Sequence, residues 1–183
     1  MAEVTYELYE GPDAAGQLGV FLPAYEEVYA DPPYGEGPRD VAEFSERYPQ
    51  QIRTRPGFRL LLARDGSELV GFTYGYRLPA DTSWWGNLLK PMPQDFTGET
   101  GERTFAVIEM AVRKPWRRQG IAAGLHTRLI EGLAVERVTL TVRPEPEAAP
   151  ARSAYAAWGY REVGRSHPWE DGPFYEAMVL NLR

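Results

Sequence analysis

The most regular pattern in this chain is a strand, a basic turn and a helix between Thr104 and Leu133. Thr104–Val112 is apolar on both faces except at Glu109, which is typical of a strand buried within a sheet. Apolar residues then recur at four-residue spacing and predict a helix that packs on the sheet: Ile121, Leu125, Leu129 and Leu133. The first N–H groups of such a helix have no partner within it, and its dipole adds positive charge. Gly120 therefore opens a predicted anion site, best suited to phosphate.

Shorter patterns predict the remaining elements. Asp13 is expected to cap a helix from Ala14 to about Tyr29. Asp40 is expected to cap a second helix, which Pro49 kinks or ends. Asp65-Gly66 between two strand-like runs indicates a hairpin. The strand patterns are Val4–Tyr9, Phe58–Ala63, Leu69–Tyr76, Arg137–Arg143, Tyr160–Val163 and Phe174–Leu180, and a last short helix spans Ala151–Trp158.

The order of these elements predicts the fold. The strand, helix and strand between Thr104 and Val142 are expected to form a right-handed parallel crossover, because that hand is nearly universal. The hairpin must be antiparallel. The predicted fold class is therefore α/β (α+β), with a mixed, mostly antiparallel sheet of about seven strands and helices on both faces. The whole chain, residues 1–183, is expected to form one domain.

The segment from Leu78 to Arg103 has no clean periodicity. It holds Trp84, Trp85 and Phe96 among prolines and glycines. A loop of this length in a compact domain is usually a lid or a pocket wall. The alternative is a short helix around Trp84 that packs through its tryptophans, and both can hold.

Composition narrows the function classes. The chain is 43% hydrophobic and 25% charged, as in an ordinary soluble enzyme, and its net charge of −6 argues against bulk attraction to nucleic acid. It contains no cysteine, which excludes a thiolate metal site and a cysteine nucleophile, and we expect no metal. Neither a signal peptide nor a run of about 20 apolar residues is visible, so we expect no membrane span and a cytoplasmic protein.

Two motifs resemble the GNAT superfamily of N-acetyltransferases. VRKPWRRQGIA contains the pattern Arg/Gln-x-x-Gly-x-Gly/Ala of motif A in that family, at Arg117, Gly120 and Ala122. ARSAYAAWGY resembles the second motif of the family, a short helix with a tyrosine and then an aromatic residue after a glycine. The matching residues are Tyr155, Gly159 and Tyr160. The predicted element order also fits the GNAT fold over nearly the whole chain.

The resemblance implies acetyl-CoA as the cofactor. The pyrophosphate of acetyl-CoA would bind at the turn and the start of the helix: Arg117, Arg118, Gln119, Gly120, Ile121, Ala122 and Ala123. Pantetheine would pair like a strand with Met110, Ala111 and Val112. The chain departs from the family pattern at Ala148, where members often carry asparagine.

The family reaction is direct attack of an amine on a thioester, which needs a base for the ammonium and an acid for the leaving thiolate. The resemblance makes Tyr155 the acid, and the alternative is an aromatic residue that packs on the sheet. Glu109 is the candidate base, because a carboxylate in an apolar strand is costly unless it is paired, hydrated or useful. The alternative for Glu109 is a structural partner for an arginine. His126 is expected on the helix surface.

Aromatic residues dominate the regions that build the acceptor site in the family. The candidates are Tyr34, Tyr74, Tyr76, Trp84 and Trp85, with part of this aromatic set expected in the core instead. With acids such as Glu36 nearby, an aromatic pocket suits a cationic amine. We therefore expect a small-molecule amine substrate, such as an amino-sugar or an amine-bearing antibiotic, and a monomer or homodimer.

Three alternatives stay open. The acceptor could be a protein lysine or N-terminus. The chain could be a module that binds an acyl-CoA without catalysis. It could also be an unrelated phosphate- or nucleotide-binding protein that uses the same helix end, although the Gly-x-x-x-x-Gly-Lys-Ser/Thr signature of an NTPase is missing.

Overall fold

The computed structural model describes residues 3–183 and divides the chain into two compact units. The first contains the described residues up to Tyr76 together with Val107–Leu133, and the second contains Arg77–Ala106 and Ala134–Arg183. Seven strands form one sheet in the order β1-β2-β3-β4-β5-β7-β6. The strands are β1 (Val4–Glu10), β2 (Arg59–Asp65), β3 (Glu68–Arg77), β4 (Thr104–Val112), β5 (Arg137–Val142), β6 (Arg161–Ser166) and β7 (Tyr175–Asn181). The helices are α1 (Leu18–Tyr29), α2 (Pro38–Thr54), α3 (Gln94–Thr97), α4 (Ile121–Ile130) and α5 (Ala149–Ala157).

In the first unit, β1, β2 and β3 pair antiparallel, and helices cover both faces. Val4 lies opposite Asp65, and the two arms of the predicted hairpin pair across their turn. Side chains alternate along a strand, so Phe72 and Tyr74 join the aromatic core with α1 and α2. A side chain at Gly71 would instead point toward Leu125 of α4.

In the second unit, the first residues of β4 pair in parallel with β5, with Thr104 beside Arg137. β5 and β6 both pair antiparallel with β7. The sheet is therefore mixed and mostly antiparallel, and the predicted fold class and its parallel crossover are confirmed. Within residues 3–183, no helix is both long enough and apolar enough to cross a membrane.

Two predicted helix starts are wrong. Asp13 makes no side-chain cap, because Gly11–Gln17 forms a 3₁₀ helix that follows Glu10, and α1 begins only at Leu18. α2 begins at Pro38, whose missing N–H is no loss at a first helical position. Asp40 is the third helical residue, and its carboxylate accepts a hydrogen bond from the Gly37 N–H at 2.9 Å.

Other helix predictions need smaller corrections. Pro49 lies inside α2 and does not end it, since the buried rings of Phe44 and Tyr48 hold the helix to the core. α4 ends at Ile130, so Leu133 falls outside the predicted stripe, beyond Gly132 with φ of 74°. The aperiodic segment carries a 3₁₀ turn at Trp85–Asn87 and the short α3, so it holds two helical turns within an otherwise irregular path.

Candidate active site

The start of α4 follows two residues in the left-handed backbone region. Arg118 has φ of 63° and Gly120, the N-cap, has φ of 79°. Only glycine adopts this region without cost, and a strained non-glycine residue often marks a functional site. A Cβ placed on Gly120 would meet no atom within 4 Å, so the space beside the helix start is open. This end of α4 can therefore accept a bulky anion against its backbone.

Packing fixes α4 before any ligand binds. Ile121, Leu125 and Leu129 are buried, as the stripe predicted. On another side, a Cβ at Gly124 would overlap the hydroxyl group of Tyr6, so only glycine allows this approach. The anion-binding end of the helix is thus preorganised by its own unit.

Side-chain bonds also fix the turn before α4. The Arg113 guanidinium donates to the carboxylates of Glu27 and Glu68, at 2.7 and 2.9 Å. The indole N–H of Trp116 donates to Asp65 at 3.0 Å. These bonds tie the turn to α1 and to the β2–β3 hairpin.

The predicted cofactor residues all lie in the first unit. Met110 and Val112 are partly exposed on β4, whereas Ala111 is buried. Arg117 donates from Nε to the carbonyl oxygen of Val112 at 2.9 Å, so the turn folds back on the end of the strand. The other predicted residues, Arg118, Gln119, Gly120, Ile121, Ala122 and Ala123, form the end of the turn and the first residues of α4.

Glu109, the predicted base, is held by a phenol. Its Oε2 accepts a hydrogen bond from the Tyr29 hydroxyl at 2.6 Å, and no ion pair to Glu109 forms within residues 3–183. Burial raises the pKa of Glu109 to about 7, opposed by the Tyr29 hydrogen bond and the Arg47 charge and reinforced by Glu36. A carboxylate with a pKa near neutrality is well matched to proton transfer at neutral pH.

Tyr29 and its neighbour Tyr25 are neutral phenols that each donate to a carboxylate. Burial raises the pKa of Tyr29 and of Tyr25 far above the usual value, so both phenols keep their protons. Tyr25 donates to Glu36 Oε1 at 2.6 Å, and its ring centroid lies 4.5 Å from that of Tyr29. The Tyr34 ring meets the Tyr29 ring edge-on at 4.8 Å. Two carboxylates are therefore each held by a protonated phenol.

The predicted acceptor residues divide between the units. Tyr34 is partly exposed beside Tyr29. Tyr74 is fully buried and donates to Gln51 Oε1 at 3.0 Å, and Tyr76 is almost fully buried. Trp84 and Trp85 lie in the second unit, where Trp85 is buried and its N–H donates to Glu99 at 2.8 Å. The structure thus gives Tyr74 and Trp85 interior positions and leaves Tyr34 at the surface of the Glu109 site.

Tyr155, the predicted acid, lies on α5 in the second unit. It is partly exposed, and its ring lies 5.5 Å from the Trp158 ring and 5.9 Å from the Tyr160 ring. The short helix and the following Gly159, with φ of 103°, match the predicted motif geometry. Its role as an acid remains a prediction.

Sequence reasoning missed one site residue and misplaced another. It included Tyr29 only among the aromatic residues of the acceptor region, and it gave no role to Arg47, although Arg47 lies one helical turn from the buried Phe44 on α2. It placed His126 on the surface, which is wrong. His126 is buried because it lies three residues before Leu129 on the packed face, and burial lowers its pKa to about 4.

Comparison with known proteins agrees with this architecture. The sequence model of the "Acetyltransferase (GNAT) family" matches residues 21–160. The fold resembles that of a GNAT-family acetyltransferase from Staphylococcus aureus (TM-score 0.63, 17% identity, covering 99% of this chain and 100% of that one). It also resembles a ribosomal-protein alanine N-acetyltransferase from Escherichia coli (0.60, 17%, 98% and 94%) and a spermidine N-acetyltransferase chimera from Vibrio cholerae (0.62, 16%, 98% and 96%). No curated protein matches the sequence.

Proposed function

Because the chain belongs to the acetyltransferase (GNAT) family, and is therefore an acyltransferase, we propose that it moves the acetyl group of acetyl-CoA to the primary amine of a small molecule by direct attack. The observation that carries this proposal is Glu109. A carboxylate with a pKa of about 7 lies on β4, the strand that runs directly into the turn before α4. A proton acceptor and an anion-binding helix end thus belong to one continuous stretch of chain.

The residues at the start of α4 fit the pyrophosphate of acetyl-CoA. Gly120 leaves open space beside the first N–H groups of the helix, and Gln119 and Arg118 are exposed there. Met110, Ala111 and Val112 would hold the pantetheine arm by strand-like pairing. When bound, acetyl-CoA supplies an acetyl group activated as a thioester.

Two residues of the chain would then transfer protons, one from the acceptor ammonium and one to the leaving thiolate. Glu109 takes a proton from the acceptor ammonium, directly or through a water, and the Tyr29 hydroxyl holds its carboxylate in place. Tyr155 would give a proton to the leaving thiolate, a role that rests on the resemblance of its motif to the family. Positioning of the two reactants supplies much of the remaining acceleration.

The proposed acceptor is a small amine that binds as a cation, such as an amino-sugar or an amine-bearing antibiotic. Support comes from Tyr34 and Glu36, which add an aromatic face and a negative charge beside the Tyr29–Glu109 pair. The likeness to the spermidine enzyme agrees with a small acceptor, whereas the ribosomal-protein enzyme keeps a protein amine as the alternative. A non-catalytic acyl-CoA-binding module is the other alternative. We keep a cytoplasmic monomer or homodimer as part of the proposal.

Calorimetry with acetyl-CoA and with ATP tests the cofactor assignment. We expect acetyl-CoA to bind in preference to ATP, and Gly120→Glu to abolish binding through its bulk and its charge against the pyrophosphate. Gly66→Glu is the matched control, since Gly66 also has a positive φ and open space around it but lies in the hairpin turn. Equal binding of both nucleotides, or unchanged affinity in Gly120→Glu, contradicts the assignment.

A second experiment tests the acid. Tyr155→Phe is expected to slow turnover while acetyl-CoA affinity and the thermal midpoint stay the same, because only the phenolic proton is lost. A variant with full activity would return Tyr155 to a packing role.

A further inference from the structure

One face of α2 presents polar residues at four-residue spacing against the tyrosines of β3. Gln51 accepts the hydrogen bond from Tyr74 at 3.0 Å. Arg55, directly after the helix, places its Cζ 5.8 Å from the centroid of the Tyr76 ring. Arg47 lies one turn before Gln51 on the same face. This side of α2 therefore contacts β3 within the first unit.

Arg47 is charged and lacks a bonded partner. Its guanidinium makes neither an ion pair nor a hydrogen bond with any other of residues 3–183, and its Cζ lies 5.6 Å from the Phe44 ring centroid. Its side chain keeps a large accessible surface. Burial lowers the pKa of Arg47, but Tyr74, Glu109 and other nearby groups raise it more, so its charge belongs to the surroundings of Glu109.

Three other arginines of the first unit illustrate the usual pairing with a carboxylate. Arg113 is bound by two carboxylates, and Arg64 donates to Glu7 at 2.6 Å. Arg39, on α2 itself, pairs with Glu43 at 3.3 Å with its side chain 91% exposed.

Arg47 differs from these three arginines because no carboxylate in the described part of the chain pairs with it. Its Cζ lies 5.6 Å from the Phe44 ring, which stacks on the Tyr25 ring at 3.9 Å. Tyr25 packs in turn against Tyr29, the donor to Glu109, so Arg47 borders the same aromatic cluster as that carboxylate.

An acceptor that carries only positive charge does not explain the unpaired Arg47 guanidinium. An unpaired guanidinium near the amine site repels a second positive charge, whereas its planar donors match a carboxylate in bidentate geometry. Glu109 and Glu36 suit an ammonium group, so the site offers opposite charges to the two ends of a short molecule.

We propose that the acceptor is an amino acid or a similar zwitterion, whose carboxylate binds Arg47 while its amine lies at Glu109. In the reaction, Glu109 takes one proton from the ammonium, the amine nitrogen then forms a bond to the acetyl carbon, and the carbon–sulfur bond breaks. The nitrogen loses its second proton as the amide forms, and this loss balances the proton that the leaving thiolate gains. The carboxylate is unchanged. This inference rests on the proposed N-acetyltransferase function and narrows its acceptor class.

The test is a thiol-release assay with the full chain, acetyl-CoA and a panel of amines. The panel contains the common L-amino acids, their carboxamides, a polyamine and an amino-sugar. We expect the carboxylate of the best amino acid to raise kcat/KM about 10- to 100-fold over its carboxamide, the range typical of a charge-assisted bond. Assays at pH 8.5 keep Glu109 ionised, so that a change in its pKa does not enter the comparison.

Variants at Arg47 test whether this side chain causes the preference for the carboxylate. Arg47→Gln is expected to erase the preference, because it should raise KM for the amino acid far more than KM for the carboxamide, and Arg47→Lys is expected to restore part of it. Arg39→Gln, the matched control on the same helix, should keep the full preference.

Three outcomes overturn the inference alone. They are equal turnover of acid and carboxamide, an unchanged preference in Arg47→Gln, and acetyl-CoA binding without turnover of any amino acid in the panel. Absence of acetyl-CoA binding together with no turnover of any amine overturns the proposed function itself, and the inference with it.

Discussion

Glu109 and Glu99 are two glutamates whose carboxylates are held by different kinds of partner, a neutral phenol for Glu109 and a charged guanidinium for Glu99. Glu109 accepts a hydrogen bond from the neutral Tyr29 hydroxyl, and part of its surface stays accessible. Glu99 forms an ion pair with Arg137 at 2.9 Å, with side-chain exposures of 1% and 4%. The same Oε2 of Glu99 also accepts from Trp85 and Thr104, each at 2.8 Å.

This difference distinguishes a carboxylate with a structural role from one that is suited to proton transfer. A buried charge with a charged partner has a structural role, because removal of either charge leaves the other uncompensated. A carboxylate held by a phenol has a donor but no ion-pair partner, so burial can raise its pKa to about 7, as at Glu109. The identity of the partner, not burial alone, therefore makes Glu109 the candidate for proton transfer.

The largest effect is expected from Glu109→Gln. The amide keeps the shape and can still accept from Tyr29, but it cannot take a proton. We expect kcat to fall about 100- to 10,000-fold, the usual range for a general base, with acetyl-CoA affinity retained. Steady-state kinetics and calorimetry check this, and a variant within a few-fold of the parent would remove Glu109 from the mechanism.

Glu99→Gln is the matched substitution at the structural site, and it should act on stability instead. It leaves the buried Arg137 charge uncompensated, which is expected to lower the free energy of unfolding by about 3–5 kcal/mol. Denaturant unfolding measures this change. Replacing Glu99 and Arg137 together by Leu and Met should recover most of the loss, because no unpaired charge then remains. A stable Glu99→Gln protein would contradict the assignment.

Stability should depend on pH through Glu109. Its pKa is about 7 in the folded chain against an ordinary 4.5, so the unfolded chain releases this proton at lower pH. The free energy of unfolding should therefore fall by up to about 3 kcal/mol as the pH rises from 4.5 to 7, the two pKa values of Glu109 in the unfolded and folded chain. Glu109→Gln removes this contribution, so it should be more stable than the parent at pH 8 and similar below pH 4.5. If the free energy of unfolding changed with pH to the same extent in both proteins, this expectation would be contradicted.

The smallest effect is expected from Tyr29→Phe. The Tyr29 hydrogen bond lowers the pKa of Glu109, so its loss should shift the rising limb of the pH–rate profile upward by about one unit. Tyr48→Phe is the control, because the Tyr48 hydroxyl donates to the Ala14 carbonyl oxygen in the same core and does not contact Glu109. An equal shift in both variants would assign the effect to the core and not to this bond.

The same two glutamates show what the sequence can predict. Glu109 interrupts an apolar strand, and a single acid in such a run is visible in the pattern itself. Its partner is not visible, since Tyr29 lies 80 residues earlier and only the fold brings them together. Glu99 lies in the aperiodic segment before β4, and its burial depends on Arg137, 38 residues later. No local pattern indicates that pairing.

Strands, their order and the crossover follow from periodicity because alternation and apolar runs are local. Helix starts are predicted less well from the sequence, because several residues compete for one N-cap position. At α2, Pro38 at the first helical position decides the start, and Asp40 serves two residues later. The cationic side chain of Arg47 was missed for a related reason, since an exposed arginine on a helix has no distinctive local pattern.

The contact between Gly124 and Tyr6 has a consequence for binding thermodynamics. With the Tyr6 hydroxyl against the backbone of α4, and the Arg128 guanidinium 3.9 Å from the Tyr6 ring centroid, the helix cannot slide along its axis without a collision. A ligand at the start of α4 therefore meets a helix whose conformational entropy is already lost on folding. Its association should order little new chain, so the affinity reflects contacts made and not disorder removed.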